Sequence, residues 1–486
     1  MKGIDYMKNR DGILAKIAYA CGDIYGGGAF LIVGTLFMVY LTNVEGLSGA
    51  LAGIIIFIGK AWDAVTDPLM GSISDRTKSS FGRRRIYFLF GGLPVLVSWI
   101  LLWHSFGIDQ GILKFIYFVF AFIFFSTAFT IVMTPYNAIL ADMTGDYNKR
   151  SAFTGMRLAF SAGTAIICAV VPAMITGSFE NEKTGYLVMA AIFGVIFGVS
   201  WLAVFAGTWE NTKISEAAAF SYREWLSIFS NKSFRLYAGV FVLSQMAIDV
   251  TMALAVYYLN VSLRKEHLFI PAMAAILVVQ LVFICLFSLV AKKYSKKTPA
   301  LIAALIWIAV CVIIFNYTHA TPDIAVIITC AFIGVGAAGC NLVSWSILPD
   351  IADVDELMTG KRREGLYSGV STFLRKLSGG IAVGSIGFLL DIFRYSADAV
   401  KTGNIEPVTD LGIKLIFCLV PSLLLAGMLL VLRKYRLGKS EFAVMQALLE
   451  SYRSNEGDVE VKGEDAVICE QITGRSASNL FGKTVQ

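Results

Sequence analysis

The chain has 486 residues, of which 57% are hydrophobic and 16% charged, with a mean hydropathy of +0.69 and a net charge of +6. Soluble domains carry about 25% charged residues, and this much apolar surface exceeds what one or two water-soluble cores can bury. The composition therefore excludes an ordinary soluble enzyme and indicates a polytopic membrane protein.

Twelve apolar segments, numbered here as spans 1 to 12, are long enough to cross a hydrocarbon core of about 30 Å. They are predicted at 12–41, 47–70, 86–104, 112–140, 151–177, 185–206, 233–260, 268–291, 299–318, 322–349, 365–394 and 411–433. Thirty Lys and Arg residues fall on the side that holds both termini and seven on the other side. By the positive-inside rule, we expect a multi-pass protein of the cell membrane, plasma or bacterial inner, with both termini in the cytoplasm.

An internal repeat organises these spans. The end of span 4, Ile139-Leu140-Ala141-Asp142, recurs at the end of span 10 as Ile347-Leu348-Pro349-Asp350. Chance similarity of short motifs is the alternative explanation. The spacing predicts two six-helix halves, 1–206 and 233–436, joined by a cytoplasmic linker at 207–232. The cytoplasmic tail, 437–486, is polar and is expected to form a short amphipathic helix followed by a disordered end.

Span 2 carries two acids at membrane depth. Asp63 and Asp67 are four residues apart, so they lie on one helical face, and span 1 adds Asp23 before a run of three glycines. Charges inside a membrane are costly and mark ion or substrate pathways by default. Two close carboxylates need a bound cation, a shared proton or a basic partner. Structural pairing with Lys60 or another helix is the plain alternative.

Basic residues inside the spans supply the opposite charge. Lys376 lies eleven residues into span 11, about 16 Å along the helix. Arg157 lies nearer the end of span 5, where it could instead extend to the interface. Because Arg375 and Lys376 point about 100° apart, at most one faces a central cavity, and we expect it to be Lys376.

The loop after span 2 reads MGSISDRTKSSFGRRR. An acid at a helix end that faces an arginine cluster can hold one conformation by ion pairs that break in another. We therefore expect Asp75, Arg76, Arg83 and Arg84 to form a conformational lock. The same basic residues also suit an ordinary topology-setting loop.

Four segments together resemble one transporter family: WDAVTDPLMGSISDRTKSSFGRRR, TPYNAILADMT, PDIADVDE and STFLRKLSGG. They look like the glycoside-pentoside-hexuronide:cation symporters, a branch of the major facilitator superfamily. The similarity covers about 10–435, and the WDxxxDP motif is distinctive. It implies the all-α fold of that superfamily, with twelve transmembrane helices in two six-helix repeats.

The resemblance also implies a cation site on span 2. The family's two span 2 aspartates bind the coupling cation, and they match Asp63 and Asp67, which would be the metal ligands if the ion is Na+. Thr130 in span 4 matches a threonine that adds an oxygen, and Thr66 stands where the family has an asparagine.

For the substrate, the family's sugar-contacting residues match Asp23 in span 1, Arg157 in span 5 and, in span 11, Lys376 and Thr372. This chain departs from the galactoside transporters in span 4, where Asn137 replaces a stacking tryptophan and Met133 a second aspartate. Asn137 remains a candidate contact, but the change predicts a sugar other than melibiose.

The resulting hypothesis is a secondary transporter that moves a sugar or glycoside with Na+ or H+ by alternating access, as a monomer in the lipid bilayer. Sodium-coupled transport of an amphipathic lipid is the alternative. The chain has no GxxxxGK[ST] motif for nucleotide hydrolysis and no metal-ligand or nucleophile spacing. We therefore expect no enzyme activity, no nucleic-acid partner and no cofactor apart from the coupling ion.

Overall fold

A computed structural model describes residues 12–144, 147–210, 227–361, 363–454, 461 and 463–481. Twelve of its helices are long and apolar enough to cross a membrane, which confirms the predicted all-α architecture with twelve spans. In chain order they are Ile13–Phe37, Gly49–Arg76, Arg85–Leu102, Gly111–Met143, Tyr147–Gly177, Glu182–Gly207, Lys232–Ser262, Phe269–Lys293, Lys297–Phe315, Asp323–Ser346, Glu364–Ile392 and Pro407–Lys434. An even number of crossings returns the chain to the side where it began, called the terminal side below.

Local sequence explains where several spans begin and end. The Ser48 hydroxyl accepts a hydrogen bond from the Leu51 amide at the start of span 2, and Asn181 and Asn231 cap spans 6 and 7 in the same way. The helix of span 1 continues beyond Phe37 and ends in a π-helical turn at Tyr40–Val44, and span 7 ends in one at Tyr258–Ser262. This shared irregularity is what two copies of one ancestral helix would retain.

Contacts divide the chain into two compact units. Unit 1 contains Met1–Phe220 together with Val383–Glu406, so it holds spans 1 to 6 and the far end of span 11. Within it, a Cβ on Gly53 of span 2 would lie 2.4 Å from the Gly384 carbonyl oxygen. Only glycine allows the two helices to approach this closely.

A polar contact reinforces this packing at the start of span 2. The Asp391 carboxylate accepts hydrogen bonds from the Gly49 and Ala50 amides, at 2.8 and 2.9 Å. It therefore caps span 2 from a distant part of the chain. The predicted halves placed all of span 11 in the second half, whereas its far end packs in unit 1.

Unit 2 contains Ser221–Ala382 and Pro407–Gln486. Its spans 8, 9 and 10 meet through small residues: a Cβ on Gly334 would lie 2.3 Å from the Ile276 carbonyl oxygen, and one on Gly339 would lie 2.3 Å from the Ala303 Cβ. Such contacts are how membrane helices gain packing energy when lipid offers no hydrophobic drive. The predicted linker, 207–232, lies mostly outside the described residues.

Span 10 continues on the terminal side as a second helix, Leu348–Thr359, which we call the inner helix. It contains the PDIADVDE segment, and its acids face other parts of unit 2. Pro349 stands at the start of the helix, where its missing amide costs no hydrogen bond. Gly360 ends it with a positive φ of 68°, which favours glycine.

The tail is more ordered than its composition suggests. Its first helix, Lys439–Ser454, agrees with the predicted amphipathic helix. A second helix, Gly463–Thr473, follows, and the chain is described to Phe481, so the expectation of a disordered end is wrong for 463–481. The reason is docking: the Phe481 amide donates to the Leu357 carbonyl at 2.8 Å, and the Ser233 hydroxyl donates to the Ile472 carbonyl at 2.5 Å.

Arg453 holds the first tail helix on the inner helix. Its guanidinium donates to both carboxylate oxygens of Glu356, at 2.9 and 2.7 Å, and this pairing raises the pKa of the arginine. One turn or more earlier, the Gln446 amide donates to Asp353 at 2.8 Å. The tail thus covers two acids of the inner helix.

Candidate functional site

The two acids of span 2 meet at one hydroxyl group from span 4. The Thr130 hydroxyl lies 2.8 Å from Asp63 Oδ1 and 2.8 Å from Asp67 Oδ1. A hydroxyl carries one hydrogen, so it can donate to only one of these oxygens at a time. The second short contact calls for a proton on a carboxyl group, a cation between the oxygens or a basic group near them.

Burial of Asp63 and Thr130 makes neutralisation of the carboxylate charge more important. Asp63 has no exposed surface, and Thr130 is 2% exposed. Thr66, in contrast, donates its hydroxyl to the backbone carbonyls of Trp62 and Asp63, at 3.1 and 3.3 Å. The structure thus brings Asp63, Asp67 and Thr130 together, and it directs the Thr66 hydroxyl along its own helix.

A second polar cluster in unit 1 joins spans 1, 4 and 5. Arg157 Nε donates to Asp23 Oδ1 at 3.0 Å, and Arg157 Nη2 donates to Asn137 Oδ1 at 2.8 Å. The guanidinium also lies 4.6 Å from the centroid of the Tyr136 ring. Asp23, Asn137 and Arg157 are therefore neighbours, and together they offer hydrogen-bond donors and acceptors beside an aromatic face.

Glycines allow span 1 to approach its neighbours here. A Cβ on Gly26 would lie 2.5 Å from the Met133 methyl group and 3.1 Å from Asp23 Oδ1. A Cβ on Gly27 would lie 2.6 Å from the Ser161 hydroxyl. Met133 thus contacts the same turn of span 1 that carries Asp23, which is where its replacement of a family aspartate removes a possible acceptor.

In unit 2, the bases of span 11 have separate environments. Arg375 forms a bidentate pair with Asp249 of span 7, with Nη1–Oδ2 2.5 Å and Nη2–Oδ1 2.8 Å. A Cβ on Gly379 would lie 2.7 Å from Asp249 Oδ2, so this glycine leaves room for the pair. Lys376 follows on the same helix and is half-buried, and the Thr372 hydroxyl donates to a backbone carbonyl one turn earlier.

The arginines of the loop after span 2 form an ion cluster in unit 1. Arg84 bridges two acids, Asp75 at 2.5 Å and Asp142 through its other terminal nitrogen. Arg83 binds the same Asp142 carboxylate at 2.9 and 3.1 Å. We call these four residues the unit 1 ion cluster. Arg76 is exposed, and the structure does not bring it into this cluster.

The corresponding position of unit 2 has one base. Asp350, the repeat counterpart of Asp142, binds Lys296 from the loop after span 8, at 2.8 and 2.6 Å. We call this the unit 2 ion pair. Further along the inner helix, Asp355 accepts from Arg363 at 2.8 and 2.6 Å and from the Tyr367 hydroxyl at 2.8 Å.

A family model described as MFS/sugar transport protein matches residues 18–439, most of the chain. The chain belongs to the glycoside-pentoside-hexuronide:cation symporter family. This family lies within the major facilitator superfamily, and the protein is therefore a membrane transporter and not an enzyme.

The chain matches individual relatives along nearly their whole length. The chain is 26% identical to "Putative glycoside/cation symporter YagG" of Escherichia coli, covering 91% of this chain and 96% of that protein. It is 23% identical to "Sodium-dependent lysophosphatidylcholine symporter 1-B" of Danio rerio, covering 93% and 92%. Among solved structures, a D-xylose-proton symporter superposes with a TM-score of 0.62 at 15% identity, covering 85% and 96%, which is a likeness of fold.

Sequence reasoning missed three partners in this symporter. The sequence predicts no role for Asp249, although the repeat offers a signal: Asp23–Arg157 joins spans 1 and 5, and Asp249–Arg375 joins their counterparts, spans 7 and 11. The repeat identifies Asp142 from sequence, but it does not predict that Asp142 pairs with Arg83 and Arg84. Glu210 had no signal, yet it accepts from the amides of residues 83, 84 and 85 at 2.9–3.0 Å.

Proposed function

We propose that this family member couples uptake of a sugar or glycoside to the movement of Na+ or H+ by alternating access. The observation that supports the proposal is the convergence of two carboxylates, the buried Asp63 and the half-buried Asp67, on the hydroxyl of Thr130. It occurs in the same unit as a cluster of polar groups suited to sugar hydroxyls. The name of the YagG relative supports the same pairing of glycoside and cation.

The cation role follows from charge and geometry. Two carboxylates that share one hydroxyl carry excess negative charge when both are ionised, and a cation or a proton relieves it. Carboxylate and hydroxyl oxygens are hard ligands, which suit Na+ as well as H+. We propose that Asp63, Asp67 and Thr130 bind the coupling ion.

The substrate role follows from hydrogen-bonding capacity. Asp23 accepts, Arg157 donates and Asn137 does both, so the cluster can pair with neighbouring hydroxyl groups of one sugar ring. Lys376 and Thr372 of span 11 are proposed as further contacts by their match to the family motif. Arg157 is held by Asp23 and Asn137, and a sugar would have to exchange with these partners.

Coupling requires that the ion changes substrate binding. We propose that neutralising Asp63 and Asp67 releases Lys376 or Arg157 to bond the substrate. The two halves would then move around it, with the unit 1 ion cluster holding one of the two conformations. One positive charge crossing about 100 mV supplies about 2.3 kcal/mol, enough for roughly 50-fold accumulation.

Uptake into proteoliposomes tests the proposal. A panel of labelled glycosides, pentosides and hexuronides is offered under an inward Na+ gradient or an inward H+ gradient. We expect one sugar class to accumulate under one gradient, and Asp63→Asn or Asp67→Asn to abolish the cation dependence. The matched control is Asp109→Asn, which makes the same change at an exposed loop residue and should leave uptake unchanged.

Two results would contradict the assignment. Cation dependence that survives in both the Asp63→Asn and Asp67→Asn proteins removes these acids from the ion site. A Lys376→Ala protein that binds the transported sugar with unaltered affinity removes this lysine from the substrate site.

A second candidate substrate comes from the lysophosphatidylcholine symporter, whose name specifies sodium-dependent transport of a lysolipid. The same carboxylates would serve as its ion site. If no sugar moves under either gradient, labelled lysophosphatidylcholine is tested under the Na+ gradient. Transport of the lysolipid together with failure of every sugar would establish this alternative.

A further inference from the structure

A basic cavity of about 140 Å³ lies on the terminal side of unit 2, away from the residues proposed for transport. Four lysines line it: Lys292 at the end of span 8, Lys296 and Lys297 at the start of span 9, and Lys439 at the start of the first tail helix. Among the described residues that line the cavity, Asp350 alone is acidic. The cavity therefore concentrates positive charge from three elements of the chain.

Two of these lysines donate their hydrogen bonds to neutral groups. Lys297 Nζ donates to the Tyr435 carbonyl, and Lys439 Nζ donates to the Lys292 carbonyl at 3.4 Å. Lys296 is the lysine held by a carboxylate, that of Asp350. The cavity can thus accept a further anion without first breaking an ion pair at Lys297 or Lys439.

Glu441, an acid that does not line the cavity, offsets part of this charge. Glu441 interacts with Lys297, but its carboxylate accepts hydrogen bonds from the Gly438 amide and the Ser440 hydroxyl, both at 3.0 Å. The four lining lysines thus outnumber Asp350 and Glu441 together.

The lining also includes a buried tyrosine and the start of a helix. The Tyr435 side chain is 2% exposed, and its hydroxyl has no hydrogen-bond partner among the described residues. Tyr435 lines the cavity, and so does Lys297, the first residue of the span 9 helix. A helix N-terminus carries partial positive charge that favours anions.

We propose that this cavity binds a phosphate group, carried by an anionic phospholipid or by a soluble phosphate compound. Ammonium groups that approach from several directions suit the tetrahedral oxygens of phosphate. Basic pockets between membrane helices at this level bind anionic lipid head groups. A bound phosphate also competes with Asp350 for Lys296, and so it weakens the unit 2 ion pair.

The test uses the purified full chain in nanodiscs, with the midpoint of thermal unfolding as the readout. The first arm uses phosphatidylcholine discs and titrates inorganic phosphate and glycerol 3-phosphate against chloride at equal ionic strength. The second arm compares phosphatidylcholine discs with discs that contain increasing phosphatidylglycerol. A rise in the midpoint in the first arm identifies a soluble phosphate, and a rise in the second arm alone identifies a lipid.

Lysine variants test whether the ligand that raises the unfolding midpoint binds in the cavity. Lys297→Gln and Lys439→Gln should each raise the half-maximal ligand concentration about fivefold, the weight of one lysine beside an anionic group. Lys293→Gln is the matched control, because it removes the same charge next to Lys292 from a residue that does not line the cavity. Lys439 is exposed at a helix start, so its variant is expected to fold normally.

Two outcomes overturn the proposal. One is an unchanged unfolding midpoint in both arms. The other is a Lys293→Gln protein that loses as much affinity as Lys297→Gln and Lys439→Gln, because binding would then follow overall surface charge. The readout is binding alone, so either result leaves the proposed sugar transport untouched.

Discussion

The two units use the same repeated motif with different partners. In unit 1, Asp142 at the end of span 4 is held by Arg83 and Arg84, and Arg84 also binds Asp75. In unit 2, its counterpart Asp350 is held by Lys296. The repeat thus preserves the position of the acid and its basic partner loop, whereas the number and type of bases have diverged.

The units differ again at their second helices. Span 2 carries the buried Asp63 and the half-buried Asp67, while span 8, Phe269–Lys293, contains no acidic residue. Unit 2 has instead the docked tail, which pairs Arg453 with Glu356. Duplication thus supplied two similar scaffolds, and each unit then acquired its own polar groups.

The loss of stability should be greatest in the unit 1 ion cluster and smaller in the unit 2 ion pair. Arg84→Ala leaves two carboxylates without their shared base at a 9% exposed site, and it should cost about 3 kcal/mol of stability. Lys296→Ala should cost about 1 kcal/mol, because its side chain is 40% exposed and water can replace it. Thermal unfolding of both purified variants measures the difference. Equal losses would show that the two groups contribute alike.

The intramembrane pair of unit 2 should matter next. Asp249→Asn leaves the Arg375 charge without its bidentate partner, and it should cost about 2 kcal/mol. The double variant Asp249→Asn/Arg375→Gln removes both charges and should recover most of this loss. Unfolding midpoints of the single and double variants provide the test. A single variant as stable as the parent would mean that the pair carries no net interaction.

Two threonines of unit 1, Thr66 in span 2 and Thr130 in span 4, should differ in their effect on cation binding. Thr130→Val removes the hydroxyl between the two acids and should raise the cation concentration for half-maximal transport about tenfold. Thr66→Val removes a hydroxyl that bonds its own helix backbone, so the change should stay within about twofold. Ion titrations of uptake measure both. A reversed order would favour the family-based role of Thr66.

Loss of the Glu356–Arg453 pair should have a smaller effect, which is confined to how firmly the tail is held. Glu356→Gln removes the anionic partner of Arg453 and should make the tail about fivefold more sensitive to limited proteolysis, since a partly exposed pair contributes about 1 kcal/mol. Glu464→Gln changes an exposed acid of the second tail helix and serves as the control. The charge-swapped pair Glu356→Arg/Arg453→Glu should restore resistance. Unchanged cleavage in Glu356→Gln would show that other contacts hold the tail.

Much of the candidate site could be predicted from residues, because charges inside an apolar helix stand out. Asp63, Asp67, Asp23 and Arg157 were found in this way, and the structure places them in two polar clusters of unit 1. The direction of a side chain within its helix could not be predicted. The Thr66 hydroxyl shows why: a β-branched residue can bond its own backbone as easily as a neighbour.

The tail shows that composition can also predict too little structure. Its polar composition predicted disorder beyond the first helix, because a polar segment buries too little apolar surface to fold alone. Gly463–Thr473 is nevertheless helical, since it docks on residues of unit 2 that composition cannot reveal. Disorder from composition is a statement about an isolated segment, and here the segment has a partner within the chain.

Sequence by itself determined the membrane class, the twelve spans and the family, because apolar length and charge placement are local properties that lipid enforces. Tertiary structure decided which charges meet. Arg375 takes Asp249, Arg84 takes both Asp75 and Asp142, and Lys296 takes Asp350. Ion pairs between distant residues depend on helix rotation and packing, which small side chains at helix contacts set and which no single segment encodes.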